Sequence, residues 1–241
     1  LAIELASIPT YVMVSISRPI SVAQEAAVKY FFLGAFSAAL TLFGLSFLFG
    51  TTGSVTLTGV ANVIGGWESM PGWLILGGMM LLAGLAFKLA AFPLHFYAPD
   101  VYTGAATPLT AFLSYVPKAA GMVALIRVLY ALAGGMPGEL PQVFVTTLWL
   151  VAVLTMTVGN MLGLMQQNVK RLMACSSIAH SGYMLTGVVV LFGAASIVDR
   201  AGGLAGVLFY LTAYGLTNVG IFAVLMMLPA NTATSSGCTR S

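Results

Sequence analysis

Of the 241 residues, 59% are hydrophobic and only 6% are Asp, Glu, Lys or Arg, against roughly a quarter in an ordinary soluble domain. Nine basic and six acidic side chains are too few to cover a soluble globule of this size, to keep a chain disordered or to form a nucleic-acid-binding surface. With a mean hydropathy of +1.01, the composition is that of an all-α, polytopic transmembrane bundle.

Seven apolar segments follow one another, at 1–17, 26–50, 73–97, 108–133, 143–166, 171–195 and 204–229, each bounded by Gly, Pro, Asn or charge. Six of them reach the roughly 20 residues that a crossing needs. Residues 1–229 therefore read as a transmembrane domain, and the polar run ANTATSSGCTRS at 230–241 as a disordered tail. Leu1 already lies inside an apolar run, so a piece of a longer protein is expected. Strict alternation of apolar and polar residues is absent, which disfavours a barrel. Arg18, Lys29, Lys170 and Arg171 fall on one side by helix parity. Glu68, Glu139 and the cancelling pair Asp199 and Arg200 fall on the other, which predicts that the basic side is cytoplasmic. GxxxG spacings at Gly159–Gly163 and Gly202–Gly206 predict close helix packing.

The stretch after the third segment is dense in helix breakers: Pro93, Pro99, Pro108 and Pro117, with Gly104 between them. Proline removes a backbone donor. Irregular backbone at membrane depth survives only where protein or a wet cavity satisfies it, and broken helices of this kind line ion pathways in transporters. A plain loop between two helices is the other reading.

A charge near the bilayer centre costs about 3 kcal/mol by insertion scales, so each one needs a reason. On continuous helices Lys88 and Lys118 would lie about 13–15 Å from the nearest helix end, and Glu4 about 20 Å from Arg18. His180 sits deep in the sixth segment among Ser176, Ser177, Ser181 and Tyr183. Burial disfavours a lysine's charge and a nearby carboxylate restores it, so opening and closing a Glu–Lys pair would make the lysine release and hold a proton. Histidine suits a relay between such groups. The competing reading is structural: buried ion pairs between helices, and for His180 an interhelical hydrogen bond. Glu25 and Lys29 form an i, i+4 pair at a helix start. Snorkelling accounts for Lys170 and Arg171, and Arg127 reads as interfacial. His95 and Asp100 belong to the broken region.

Phosphate loops, dinucleotide fingerprints, HExxH, CxxC and serine-elbow motifs are absent, and Cys175 and Cys238 have no metal-ligand spacing. No metal site is expected, and any redox cofactor is expected elsewhere.

The run AFKLAAFPLHFYAPDVYTGAATPLTAFLSYVPKAAG resembles the broken-helix signature of the antiporter-like subunits of respiratory complex I, the PDVYTGA wording being that of the N-subunit type. NVKRLMACSSIAHSGYMLTG (168–187), IELASIPTYVMV (3–14) and EAAVKYFFLGAFSAA (25–39) resemble further segments of the same family, over about 1–229. The resemblance implies a truncated inverted-repeat antiporter-like fold covering family helices 5 to 11. It places Glu4 at the helix-5 glutamate, Lys29 at a helix-6 lysine, Lys88 and Lys118 at the helix-7 and helix-8 lysines, and Lys170 at a basic residue opening helix 10. Pro93, His95, Pro99, Asp100, Gly104 and Pro108 would shape the broken helix. The implied function is that of a translocase subunit: protons pass along buried Glu, Lys and His residues, coupled to quinone reduction elsewhere in an NADH:quinone oxidoreductase. NADH, FMN, iron–sulfur clusters and quinone would belong to partner subunits. The implied partners are the other membrane subunits of complex I, the lipid bilayer and protons, with no nucleic acid. The implied location is a bacterial inner membrane, or an organellar energy-transducing one. A subunit of a Mrp-type cation/proton antiporter or of a membrane-bound hydrogenase is the nearest alternative, and a truncated, non-conducting scaffold is another. The family's helices before 5 and after 11, including a broken helix 12 with its lysine, have no counterpart here.

Overall fold

In lipid a backbone can satisfy its own polar groups only as a helix or a closed barrel. The computed structural model describes residues 2–16, 21–136, 138 and 140–227, with side chains from Leu5 onward. In chain order the helices are α1 (Ala2–Ile16), α2 (Ser21–Thr52), α3 (Leu57–Ile64), α4 (Gly72–Lys88), α5 (Tyr97–Gly104), α6 (Thr107–Leu132), α7 (Gln142–Leu164), α8 (Val169–Gly193) and α9 (Ile197–Met227). Arg18, Glu139, the side chain of Glu4 and the tail expected to be disordered lie outside the described residues.

Capping sets several boundaries. Asn168 accepts from the Lys170 backbone N at 2.9 Å, so α8 opens at Val169 and not at 171. The short helix α3 has no counterpart among the seven apolar segments; Thr56 caps it by accepting from the Gly59 N at 3.2 Å. Helix α9 starts seven residues earlier than expected, at Ile197 instead of 204, with Asp199 in its first turn, where an acidic group suits the helix dipole.

Among the described residues five helices, α2 and α6 to α9, are long and apolar enough to cross a membrane. This corrects the expectation of six. The third segment does not run continuously to Tyr97. Helix α4 has 17 residues, about 26 Å at 1.5 Å per residue, short of the roughly 30 Å hydrocarbon core. It stops in a Schellman turn, in which the Ala91 N donates to the Ala86 O at 2.8 Å and the Ala90 N to the Phe87 O at 2.9 Å. Ala90 holds the left-handed position that glycine usually fills, with φ +53°, at a cost of about 1–2 kcal/mol. The chain then runs without helix over 89–96, through a cis Phe92–Pro93 bond, before α5 resumes at Tyr97.

Helices meet through small residues, as expected where lipid offers no hydrophobic drive to associate. A Cβ added to Gly159 would sit 2.6 Å from the Ala179 N, which fixes the close α7–α8 crossing. The Gly202–Gly206 spacing does not pack: a Cβ added at either position would meet no heavy atom within 4 Å, and Gly203 meets Gly187 of α8 instead. The main core includes Leu74, Leu129, Phe144, Met184 and Val188. A second core joins α1, α2 and the two sides of the break: Tyr11 of α1 meets Tyr30 of α2 edge-on, and Tyr30 stacks on Tyr97 and Phe87.

Candidate functional site

A helix that ends inside a membrane leaves carbonyl and N–H groups in need of partners. Here hydroxyls from four helices brace the last turn of α4 and the break that follows it. Ser37 Oγ of α2 donates to the Gly84 O at 2.8 Å, and Tyr97 Oη of α5 donates to the Phe87 O at 2.9 Å. Ser181 Oγ of α8 donates to the Leu89 O at 2.6 Å, and Thr155 Oγ1 of α7 accepts from the Phe92 N at 3.0 Å. The break is thus a braced element and not a plain loop.

Lys88 is the last residue of α4, and this corrects the depth argument made for a continuous helix. The lysine is buried, at 5% exposure, because the helix ends inside the protein. Its ammonium lies at the negative end of the helix dipole, donates to Ser7 Oγ of α1 at 2.8 Å and sits 5.6 Å from the Phe87 ring centre. Ser7 lies three residues after Glu4.

Lys118 follows Pro117 within α6 and is 3% exposed. Its Nζ donates to Ser177 O and Ser177 Oγ, both at 2.5 Å, and to Ser181 Oγ at 2.9 Å. Among the described residues it meets no carboxylate. The Tyr214 ring lies 5.9 Å away. Tyr214 Oη donates to Ser177 Oγ at 2.7 Å, and Tyr102 Oη lies 3.1 Å from that same oxygen. The two lysines line one cavity of about 100 Å³, together with Ser7, Thr10, Tyr30, Tyr97 and Tyr102.

The other expected residues lie apart. His180 is half-buried and bonds through Nδ1 to Tyr210 Oη at 2.6 Å, not to Lys118. Its ring lies 5.0 Å from that of Tyr214, which places it one ring beyond the Lys118 cluster. Lys29 is exposed at one end of the bundle, paired with Glu25 at 2.7 Å and Asp100 at 2.8 Å, while Arg171 reaches Asp100 at 2.9 Å. Lys170 Nζ donates to the Ala105 O at 3.1 Å. Asp100 and Ala105 thus tie α5 to α2 and α8. Lys29, Lys170 and Arg171 gather at one end, as their parity predicted. Arg200 bonds the Ala194 O at 2.7 Å, in the turn between α8 and α9. Pro93 is exposed in the break, Pro99 lies in the first turn of α5, and Pro108 lies in the first turn of α6, where its missing N–H is harmless. Gly104 lets α5 approach α2, since a Cβ added there would lie 3.1 Å from the Ala23 Cα. His95 is 1% exposed, and both ring nitrogens lack a hydrogen-bond partner among the described residues.

Sequence reasoning missed Ser7, Tyr102, Tyr214 and the pairing of Ser177 with Ser181. The last had a signal: hydroxyls at i and i+4 share a helix face.

The sequence matches the family described as NADH:quinone oxidoreductase/Mrp antiporter, TM, over residues 1–237. The chain is 42% identical over 229 residues to NADH-quinone oxidoreductase subunit N of Beutenbergia cavernae, covering 95% of this chain and 41% of that protein. It thus spans about two fifths of the length of the curated relatives it matches. Its fold resembles a chain of respiratory complex I from Thermus thermophilus with bound aureothin, at TM-score 0.72 and 38% identity, covering 93% of this chain and 44% of that one. It also resembles a chain of the Mrp complex from Dietzia sp. DQ12-45-1b at TM-score 0.78, where 22% identity over 92% of this chain and 39% of that one establishes the fold alone. The chain is a multi-pass integral membrane protein and belongs to the NADH:quinone oxidoreductase/Mrp antiporter transmembrane family.

Proposed function

We propose that this chain is part of a proton-translocating membrane subunit of a bacterial NADH:quinone oxidoreductase, of the subunit N type. The observation that carries the reading is the single cavity shared by Lys88 and Lys118. Two buried amines facing one small space, each donating to a serine hydroxyl, can exchange a proton through a short chain of waters. Glu4 would act as the switching partner of Lys88. His180, through Tyr210, would continue the path beyond Lys118. Lys29 and Lys170, at the end of the bundle, would serve as entry or exit groups. The identity of 42% to a subunit N, against 22% to the Mrp-complex chain, favours the oxidoreductase over the antiporter.

In this reading the chain itself transfers no electrons. NADH, FMN, iron–sulfur clusters and quinone belong to partner subunits, and the energy arrives as an electrostatic or conformational change. One charge moved across 100 mV requires about 2.3 kcal/mol, within the range that switching a buried pair supplies. The test is NADH-driven acidification by liposomes that carry the complete enzyme with its full-length subunit. Changing either Lys88 or Lys118 to an apolar residue is expected to abolish acidification. Wild-type acidification in both variants overturns the reading.

A further inference from the structure

Ser181 touches both lysine-bearing elements with one hydroxyl. It is fully buried, at 0% exposure. Its Oγ donates to the Leu89 O, the carbonyl directly after Lys88, at 2.6 Å, and accepts from Lys118 Nζ at 2.9 Å. The Ser177 O lies 3.1 Å from the same Oγ.

A hydroxyl has one proton and two acceptor lone pairs. While Lys118 carries its proton, the ammonium occupies a lone pair of Ser181 and the serine proton remains on the Leu89 O. Once Lys118 is neutral, its amine has a lone pair to offer, and the serine proton can turn toward it. The Leu89 O then loses that donor at the end of a helix already held by a left-handed alanine.

We propose that Ser181 is a positioning residue that couples the proton on Lys118 to the C-terminal turn of α4, and so to the placement of Lys88. The inference rests on the reading that these lysines carry protons. It goes beyond that reading by naming the link between them, a residue outside the set of acidic and basic groups.

The test uses the complete enzyme in liposomes and reads protons moved per NADH oxidised, together with the amount of assembled complex. Ser181→Ala is expected to lower the ratio by at least about threefold, the scale of one lost hydrogen bond between neutral groups, with the complex present in normal amount. Ser181→Thr keeps the hydroxyl and is expected to restore most of the ratio. Should Ser181→Ala fail to assemble, Ser181→Cys, close in size with a weak donor, is expected to show the same fall. Thr155→Val removes a hydroxyl that braces the break from its other side without touching either lysine; it is expected to lower the amount of complex and leave the ratio unchanged. A wild-type ratio in the serine variants beside a pumping-dead Lys118→Met overturns the role of Ser181 alone, and so does an equal fall in the ratio for Thr155→Val. Normal pumping by Lys118→Met overturns the underlying reading first.

Discussion

Lys118→Met is the sharpest perturbation of the site, because methionine is close in volume and takes away only the amine. Its effect on stability follows from what surrounds the ammonium. The Ser177 O lies inside α8, where the backbone ladder supplies it with a donor, and Ser177 Oγ keeps Tyr214 at 2.7 Å and Tyr102 at 3.1 Å. No acceptor is left bare, and the desolvation of a buried cation disappears with it. Replacing a buried ionic group by an apolar one of similar size is often near neutral, so the change is expected to stay within about 2 kcal/mol. The effect on proton movement is of another order. With no group to hold it, a charge in this cavity meets the full insertion cost of about 3 kcal/mol, which at 1.36 kcal/mol per tenfold slows passage by roughly a hundredfold. The assay is acidification by liposomes of the complete enzyme during NADH oxidation, with assembled complex quantified alongside. Acidification within about twofold of wild type, in a normally assembled complex, refutes the reasoning, since it would mean that protons bypass a hundredfold barrier.

Asp100→Asn removes two ion pairs that hold α5, to Lys29 at 2.8 Å and to Arg171 at 2.9 Å. At about 0.2–1 kcal/mol for each partly exposed pair, the thermal midpoint of the complex is expected to fall at low salt. The difference from wild type is expected to shrink near 1 M salt, where the screening length is about 3 Å. Gly159→Ala places a methyl 2.6 Å from the Ala179 N and is expected to destabilise by about 1–3 kcal/mol. Gly202→Ala enters open space and is expected to change stability by no more than about 0.5 kcal/mol. Thermal midpoints and assembled amounts of the two variants check the contrast.

The helices were legible because hydrophobicity at these lengths leaves few alternatives. The segments at 108–133 and 143–166 match α6 and α7 to within two residues at each end. Legibility failed where caps or breaks decide the matter. Asn168 moves the start of α8. Ala90, a residue with no turn signature, closes α4 at Lys88, although the apolar segment continues to 97. Of the site, the lysines were legible because a charge in apolar sequence is conspicuous. Their acceptors were not. Serine and tyrosine are common in membrane helices, and only three-dimensional packing shows that Ser7, Ser177 and Ser181 face the two ammonium groups. The GxxxG spacing failed at Gly202–Gly206 for a related reason. The spacing fixes a face of α9 but not its neighbour, and the residue that meets α8 is Gly203.

The acceptors that surround Lys118 carry a functional argument: two serine hydroxyls and a carbonyl receive its ammonium. A carboxylate would favour the charged lysine strongly and keep the proton in place. Hydroxyls and a carbonyl accept from an ammonium, and the hydroxyls can also donate to a neutral amine, so the same shell accommodates both states. A transfer site needs that indifference; a structural ion pair needs the opposite. Ser177→Asp separates the two cases, because position 177 already lies at 2.5 Å from the ammonium. If Lys118 passes protons, the new carboxylate is expected to pin the charge. NADH-driven acidification would then stop while the helices remain assembled, their packing strengthened by an interhelical pair between α6 and α8. If Lys118 only ties helices together, the variant is expected to assemble as well and to pump normally. Normal pumping by an assembled Ser177→Asp enzyme would show that Lys118 need not change its protonation state.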